Sequence, residues 1–243
     1  MSSSKFSINL HGVAWALSAI ISLLLVASML GQISRLEFGR DSVYGLVQLF
    51  NVNLENNVPT FFSAFMLISS AVLAAIVGRS YKQNRKNDSR FWFVLAAGFL
   101  FLGYDEVFQV HEQLGPPMRV LLGGGDLGFL YFGWVVPGMI IVCVVALFFM
   151  RFLFRLPTQT RGWLLFSGCL YFGGCLGMEM VSGRYFELYR QDDLMYNILT
   201  TIEEGLEMTG AATLIYTLLK HISLSSTKIG FQIGGTELVL EPN

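Results

Sequence analysis

The chain has 243 residues, 53% of them hydrophobic and only 14% charged, with a mean hydropathy of +0.57. Apolar runs close to the ~20 residues that cross a bilayer recur along its length, which excludes a separate soluble domain and predicts one all-α integral membrane bundle. A net charge of -1, with neither a basic stripe nor a glycine-rich phosphate loop, argues against nucleic acid or nucleotide as a partner.

Six transmembrane helices are predicted, near 10–31, 59–78, 91–114, 128–150, 162–182 and 195–219. The first follows Lys5 but has too long an apolar core for a signal peptide, so it reads as a retained helix. In the next loop Val43, Leu46, Val47 and Phe50 recur at helical spacing after Asp41 and Ser42, as in a short helix on the membrane surface. Asn56 and Asn57 are candidate caps of the second span, and Pro59 suits its first turn. Gly115, Pro116 and Pro117 are predicted to stop the third span, which otherwise continues unbroken through GYDEVFQVHEQL, residues 103–114. Pro137 in the fourth span and Gly173, Gly174 and Gly177 in the fifth allow close packing or a broken helix. Cys143, Cys169 and Cys175 fall inside apolar runs and read as small core residues, not as disulfides or zinc ligands. Residues 1–221 form the membrane domain on this reading. The tail, 222–243, carries KIGFQI and TELVL on either side of Gly234 and Gly235, as in a short β-hairpin; a disordered tail is the alternative.

Positive charge sets the orientation. With the amino terminus inside, the inner segments hold 11 Lys and Arg and the outer segments hold 5, namely Arg35, Arg40, Arg119, Arg184 and Arg190. Both termini are therefore predicted to be cytoplasmic.

That orientation brings acids from separate helices to one depth. Asp105, Glu106, His111 and Glu112 lie in the outer third of the third span, and Glu179 lies near the outer end of the fifth. Glu203, Glu204 and Glu207 lie in the first turns of the sixth, and Glu55 just precedes the second. At about 100° per residue, the three sixth-span glutamates and Thr200 share one polar side, which must face protein or water. On an unbroken third helix Asp105, Gln109 and Glu112 share a face that Glu106 and His111 flank. Each ionised acid at mid-helix costs roughly 2.5–3.5 kcal/mol on the insertion scale, and eight acids outnumber the outer arginines. Some must therefore be protonated, solvated in a cavity or bound to a cation. Glu187, Asp192 and Asp193 read as surface or capping acids, and Arg184 as a partner for Glu179 or an interface anchor.

The segments LENNVPTFFSA, LGYDEVFQVHEQL and IEEGLEM together resemble a group of uncharacterised bacterial multi-pass membrane proteins with a DExxxxHE motif. The resemblance implies a related six-helix fold, strengthens Glu55 as a site residue and brings no known activity. EEGLEM is also similar to the Glu-Glu motif of CAAX-protease-like membrane peptidases, but Met208 stands where that motif has arginine. Ferritin-like di-iron proteins need paired ExxH elements, and this chain has none.

Carboxylates with one imidazole suit an oxygen-preferring divalent metal such as Fe, Mn, Mg or Ca. The predicted ligands are Asp105, His111, Glu112, Glu203, Glu207 and Glu55, with Glu106, Glu179 or Glu204 as general base or supporting group. The leading expectation is an enzyme of the inner (or thylakoid) membrane acting on a lipid-soluble substrate, with membrane lipids around it. A proton- or cation-coupled transporter and a non-catalytic subunit of a membrane complex or homo-oligomer are the alternatives.

Overall fold

The structure is a computed structural model that describes residues 4–6, 9–84, 87–224, 229–233 and 236–240, with side chains described for 9–84 and 87–224. Helices dominate: α1 (Leu10–Phe38), α2 (Leu46–Phe50), α3 (Val58–Gln83), α4 (Ser89–Phe108), α5 (Gly115–Leu121), α6 (Val135–Arg155), α7 (Thr158–Phe172), α8 (Glu179–Tyr189) and α9 (Leu194–Leu224). A π-helical turn, Gly173–Met178, joins α7 to α8 without a break in the path.

Helix starts follow the local chemistry. The Asn9 side chain accepts from the Gly12 amide at 2.9 Å. Asn57 likewise caps α3 by accepting from the Thr60 amide at 3.2 Å, with Pro59 in the first turn.

Among the described residues, five helical segments are long and apolar enough to cross a membrane: α1, α3, α4, α6 and the continuous Thr158–Tyr189 path. The 31-residue α9 is not one of them; it carries Glu203, Glu204 and Glu207. Its place in the fold follows from those acids, because turning them to lipid would cost roughly 2.5–3.5 kcal/mol each. Accordingly α1, α3, α7, the π-helical turn and α8 all pack on α9. Small residues allow the close approach. A Cβ on Gly210 would lie 2.7 Å from the Tyr171 backbone nitrogen, and the Ser167 hydroxyl donates to the Gly210 carbonyl at 2.8 Å.

Polar contacts sort the helix ends into two groups. At one end Arg35 of α1 pairs with Asp192, just before α9, at 2.8 Å. At the other end Asp88 pairs with Arg155 of α6 at 2.8 Å, and His221 of α9 meets Thr160 of α7 at 3.0 Å and Tyr81 of α3 at 3.2 Å. This second end also holds an aromatic cluster in which Phe91 and Trp92 of α4 pack on Phe149 and Phe152 of α6.

The termini contribute a small sheet of order β1-β3-β2: β1 (Ser4–Phe6) runs parallel to β3 (Thr236–Leu240), and β2 (Ile229–Ile233) runs antiparallel to it. The Gly234–Gly235 turn expected of a hairpin lies outside the described residues.

Four sequence expectations are corrected. The third span does not reach residue 114, for α4 ends at Phe108, and Gly115, Pro116 and Pro117 open α5 instead of stopping a helix. Pro at the first helical positions is tolerated because those amides have no intrahelical partner. The fourth span begins at Val135, with Gly128–Leu130 a separate 3₁₀ turn. The surface helix of the first loop is only α2, since Val43 and Tyr44 before it have left-handed backbones (φ 43° and 58°). Cys143 and Cys169 are exposed on the bundle and Cys175 is half-buried, all three as free thiols. Among lipid chains an outward cysteine is as well solvated as an inward one, so apolar context did not distinguish the two.

Candidate functional site

The site begins where α4 ends. Gln109 takes a left-handed backbone (φ 53°, ψ 42°), and its amide donates to the Asp105 carbonyl at 2.7 Å. The chain then doubles back over the Asp105 carboxylate, whose two oxygens meet the His111 amide at 2.9 Å and its Nδ1 at 2.7 Å. A short acid thus competes for backbone donors and turns the chain. Asp105 and His111 meet through this turn and not on a shared helix face, which corrects the angular reading of the motif.

His111 packs against Trp134 at the start of α6, with ring centroids 4.4 Å apart. Burial opposes the imidazolium, but the Asp105 carboxylate outweighs it and holds His111 above its ordinary value of 6.5. Burial pushes the Glu112 carboxyl up, against the nearby His111. It also raises Glu55, whose Oε2 accepts from the Thr60 hydroxyl at 3.1 Å.

The other wall comes from the π-helical turn, α8 and α9. Trp134 Nε1 donates to Glu179 Oε1 at 3.0 Å, and the Ser182 hydroxyl donates to Glu203 Oε2 at 3.2 Å. Gly174 lets the turn approach α9 closely: a Cβ there would stand 2.7 Å from Glu207 Cγ and 2.8 Å from the Glu203 carbonyl oxygen. A π turn carries one extra residue and redirects the side chains after it, a device common at working sites.

These elements enclose a cavity of about 390 Å³ lined by all nine predicted site residues: Glu55, Asp105, Glu106, His111, Glu112, Glu179, Glu203, Glu204 and Glu207. Among the described residues no Lys or Arg lines it. The expected partnership of Arg184 with Glu179 is not formed; Arg184 pairs with Glu187 at 2.9 Å, and Glu187 also accepts from the Leu127 and Gly128 amides at 2.6 and 2.8 Å. Glu187 is therefore a buried anchor of the loop before α6, not the surface acid expected from the sequence. Arg119 and Arg190 lie over the Tyr131 ring at 4.4 and 5.7 Å, away from Glu207. Among the described residues no three His, Cys, Asp or Glu side chains are gathered closely enough to hold a metal ion.

Sequence reasoning missed Trp134, Ser182, Tyr171, Cys175 and Tyr196, which also line the cavity. Ser182, three residues beyond Glu179, carried a usable signal; the aromatic residues did not stand apart from their apolar neighbours.

The sequence profile of one protein family matches residues 14–222. The chain belongs to that family, DUF8692, a domain of unknown function. The DUF8692 match runs from α1 to α9 and so contains every residue of the cavity. No curated protein and no solved structure matches the chain.

Proposed function

We propose that this DUF8692 domain is a six-span protein of a bacterial inner membrane, with both termini inside. Its outer-leaflet cavity holds a divalent cation and serves an enzyme acting on a lipid-soluble substrate. The observation that carries this reading is the lining itself: eight carboxylates and one imidazole, drawn from separate parts of the chain, share one cavity with no Lys or Arg among its described lining residues. The DExxxxHE element supplies four of the nine and is read here as the family's signature. Counting α9 as the sixth span keeps its acids inside protein, and the 11-to-5 partition of Lys and Arg favours this orientation. On this reading the β2 and β3 strands form a hairpin on the cytoplasmic face.

The donor set fits a hard cation such as Mn, Fe, Mg or Ca. Asp105 on His111 Nδ1 fixes the ring and leaves Nε2 as the coordinating nitrogen, the usual arrangement behind a ligating imidazole. Asp105, expected from the sequence to be a ligand, instead supports the ring from behind, and His111, Glu112, Glu203, Glu207 and Glu55 are the proposed ligands. They are not gathered in advance, so rotation of the longer glutamates must complete the set. When bound, the ion would supply Lewis-acid activation of water or dioxygen. Trp134 and Ser182 orient Glu179 and Glu203, and Glu106, Glu179 or Glu204 take the proton. The apolar walls limit bulk water.

Elemental analysis of purified protein before and after chelation tests this. A near-stoichiometric metal that is lost in Glu207→Gln, with the variant still inserted and folded, is expected; protein that never carries metal above background would refute it. One observation favours a second reading, a proton- or cation-coupled carrier: the acids are strung along the cavity without a preassembled triad. Proteoliposomes that take up cation in response to a pH gradient, without resident metal, would favour the carrier.

A further inference from the structure

Three of the cavity's lining residues are also among the exposed apolar residues of the bundle: Leu114, in the turn beyond the end of α4, and Phe101 and Ile141 within the helices. Phe101 of α4 is 57% exposed and Ile141 of α6 is 58% exposed, yet both face the cavity. A residue that does both marks a mouth. Phe101 stands seven residues before the end of α4 and Ile141 six residues after the start of α6, so each lies about 10 Å along its helix from the same end of the bundle. The backbones do not close this gap: α4 packs chiefly on α3, and α6 touches α7 and the π-helical turn. The aromatic cluster of Phe91, Trp92, Phe149 and Phe152 ties α4 to α6 at the opposite end. Leu102, Gly138 and Val142 continue the apolar walls inward from the mouth.

A gap at this depth in a membrane-spanning bundle faces hydrocarbon, not water. An alkyl chain is the group such a gap suits. Inward from the mouth the cavity changes character, to carboxylates accompanied by Trp134, Tyr196 and His111. Carboxylates beside aromatic faces recognise ammonium groups, and they repel carboxylates and phosphates. The volume of about 390 Å³ is in the range of small-molecule sites.

We propose that the gap between the outer halves of α4 and α6 is a lateral portal for a long-chain amphiphile with a cationic head. Its alkyl chain lies between Phe101 and Ile141, and its head sits among the carboxylates. This rests on the cavity being the domain's working site, and it adds the substrate class and the route by which substrate arrives from the outer leaflet.

The test uses the full chain in phosphatidylcholine vesicles. The probes are a long-chain alkylamine with a mid-chain diazirine and the matched fatty acid, and adducts are mapped by mass spectrometry. Leu23 of α1, 68% exposed and not part of the cavity lining, reports ordinary lipid contact. The amine-to-acid labelling ratio at Leu102 and Val142 is expected to be about tenfold higher than at Leu23, equivalent to ~1.4 kcal/mol of head selectivity. Ile141→Trp, which adds bulk at an exposed position, should abolish labelling at Leu102 and leave Leu23 unchanged. Equal ratios at all three positions would overturn the proposal, as would labelling at Leu102 that Ile141→Trp does not reduce. Repeating the wild-type measurement with chelator separates the two readings. Selective labelling by protein that binds no metal sinks the metal site and keeps the portal, whereas metal-loaded protein without selective labelling does the reverse.

Discussion

Adjacent glycines in the π-helical turn should respond in opposite directions to the same added methyl group. A Cβ on Gly174 would sit 2.7 Å from Glu207 Cγ, 2.8 Å from the Glu203 carbonyl oxygen and 3.2 Å from the Glu207 amide nitrogen. The glutamate stem can rotate away, but the two backbone atoms belong to the central helix and cannot move without shifting α9. Overpacking of this kind costs about 1–3 kcal/mol. Replacing helical glycine returns up to about 1 kcal/mol, so Gly174→Ala should destabilise by roughly 0–2 kcal/mol net. Gly173 has nothing within 4 Å of its Cβ position, and Gly173→Ala should stabilise by about 0.4–1 kcal/mol. At about 2–4 °C per kcal/mol for a chain of this size, the two variants should melt several degrees apart, with wild type between them. Thermal unfolding in detergent, followed by circular dichroism, measures the difference. A Gly174→Ala protein as stable as Gly173→Ala would show that the turn does not approach α9 this closely, and the wall holding Glu203 and Glu207 would need to be redrawn.

The Asp105–His111 contact predicts a pH dependence with a definite sign. A folded value raised above 6.5 means that the pair's stabilisation is fully present below 6.5 and is lost as pH rises through the folded value. His111→Asn should therefore lower the melting temperature more at about pH 5.5 than at about pH 8.5, and an equal drop at both would refute the assignment. Orientation is checked by single cysteines at Asn84 and Leu122 in a background free of native cysteines. An impermeant reagent should reach only the second from outside, and outside labelling at 84 would invert the placement of the cavity.

The arrangement of helices was legible in the sequence to the extent that water and charge, not lipid, decided it. The starts of α1, α3 and α9 were placed within one residue, with Asn57 and Pro59 marking that of α3, whereas all three helices run five to seven residues beyond their expected ends, because polar residues can continue a helix out of the apolar layer. The inward and outward faces of the apolar helices were not legible. A soluble helix reveals its buried side because the other side must be polar, whereas a helix in lipid can be apolar all round. That is why Cys143 and Cys169 were read as core and stand exposed. It is also why Phe101 and Ile141, which line the portal, resembled their neighbours until α4 and α6 were placed.

The site was legible for a related reason: an acid in an apolar run has few tolerable surroundings. Eight acids scattered from Glu55 to Glu207 were expected to converge because none could face hydrocarbon at acceptable cost, and they line one cavity. The geometry within DExxxxHE escaped because periodicity assumes an unbroken helix, and the break depends on the Asp105 side chain capturing the His111 amide, a local competition that spacing does not reveal. The charge balance then limits what the cavity can hold. Arg35, Arg119, Arg184 and Arg190 are engaged by Asp192, Tyr131 and Glu187, outside the cavity. Neutralisation of the carboxylates thus falls to protons, water and cations that arrive from elsewhere. A mobile cation, whether a metal ion or the head of an amphiphile, is the species such a lining is built to receive.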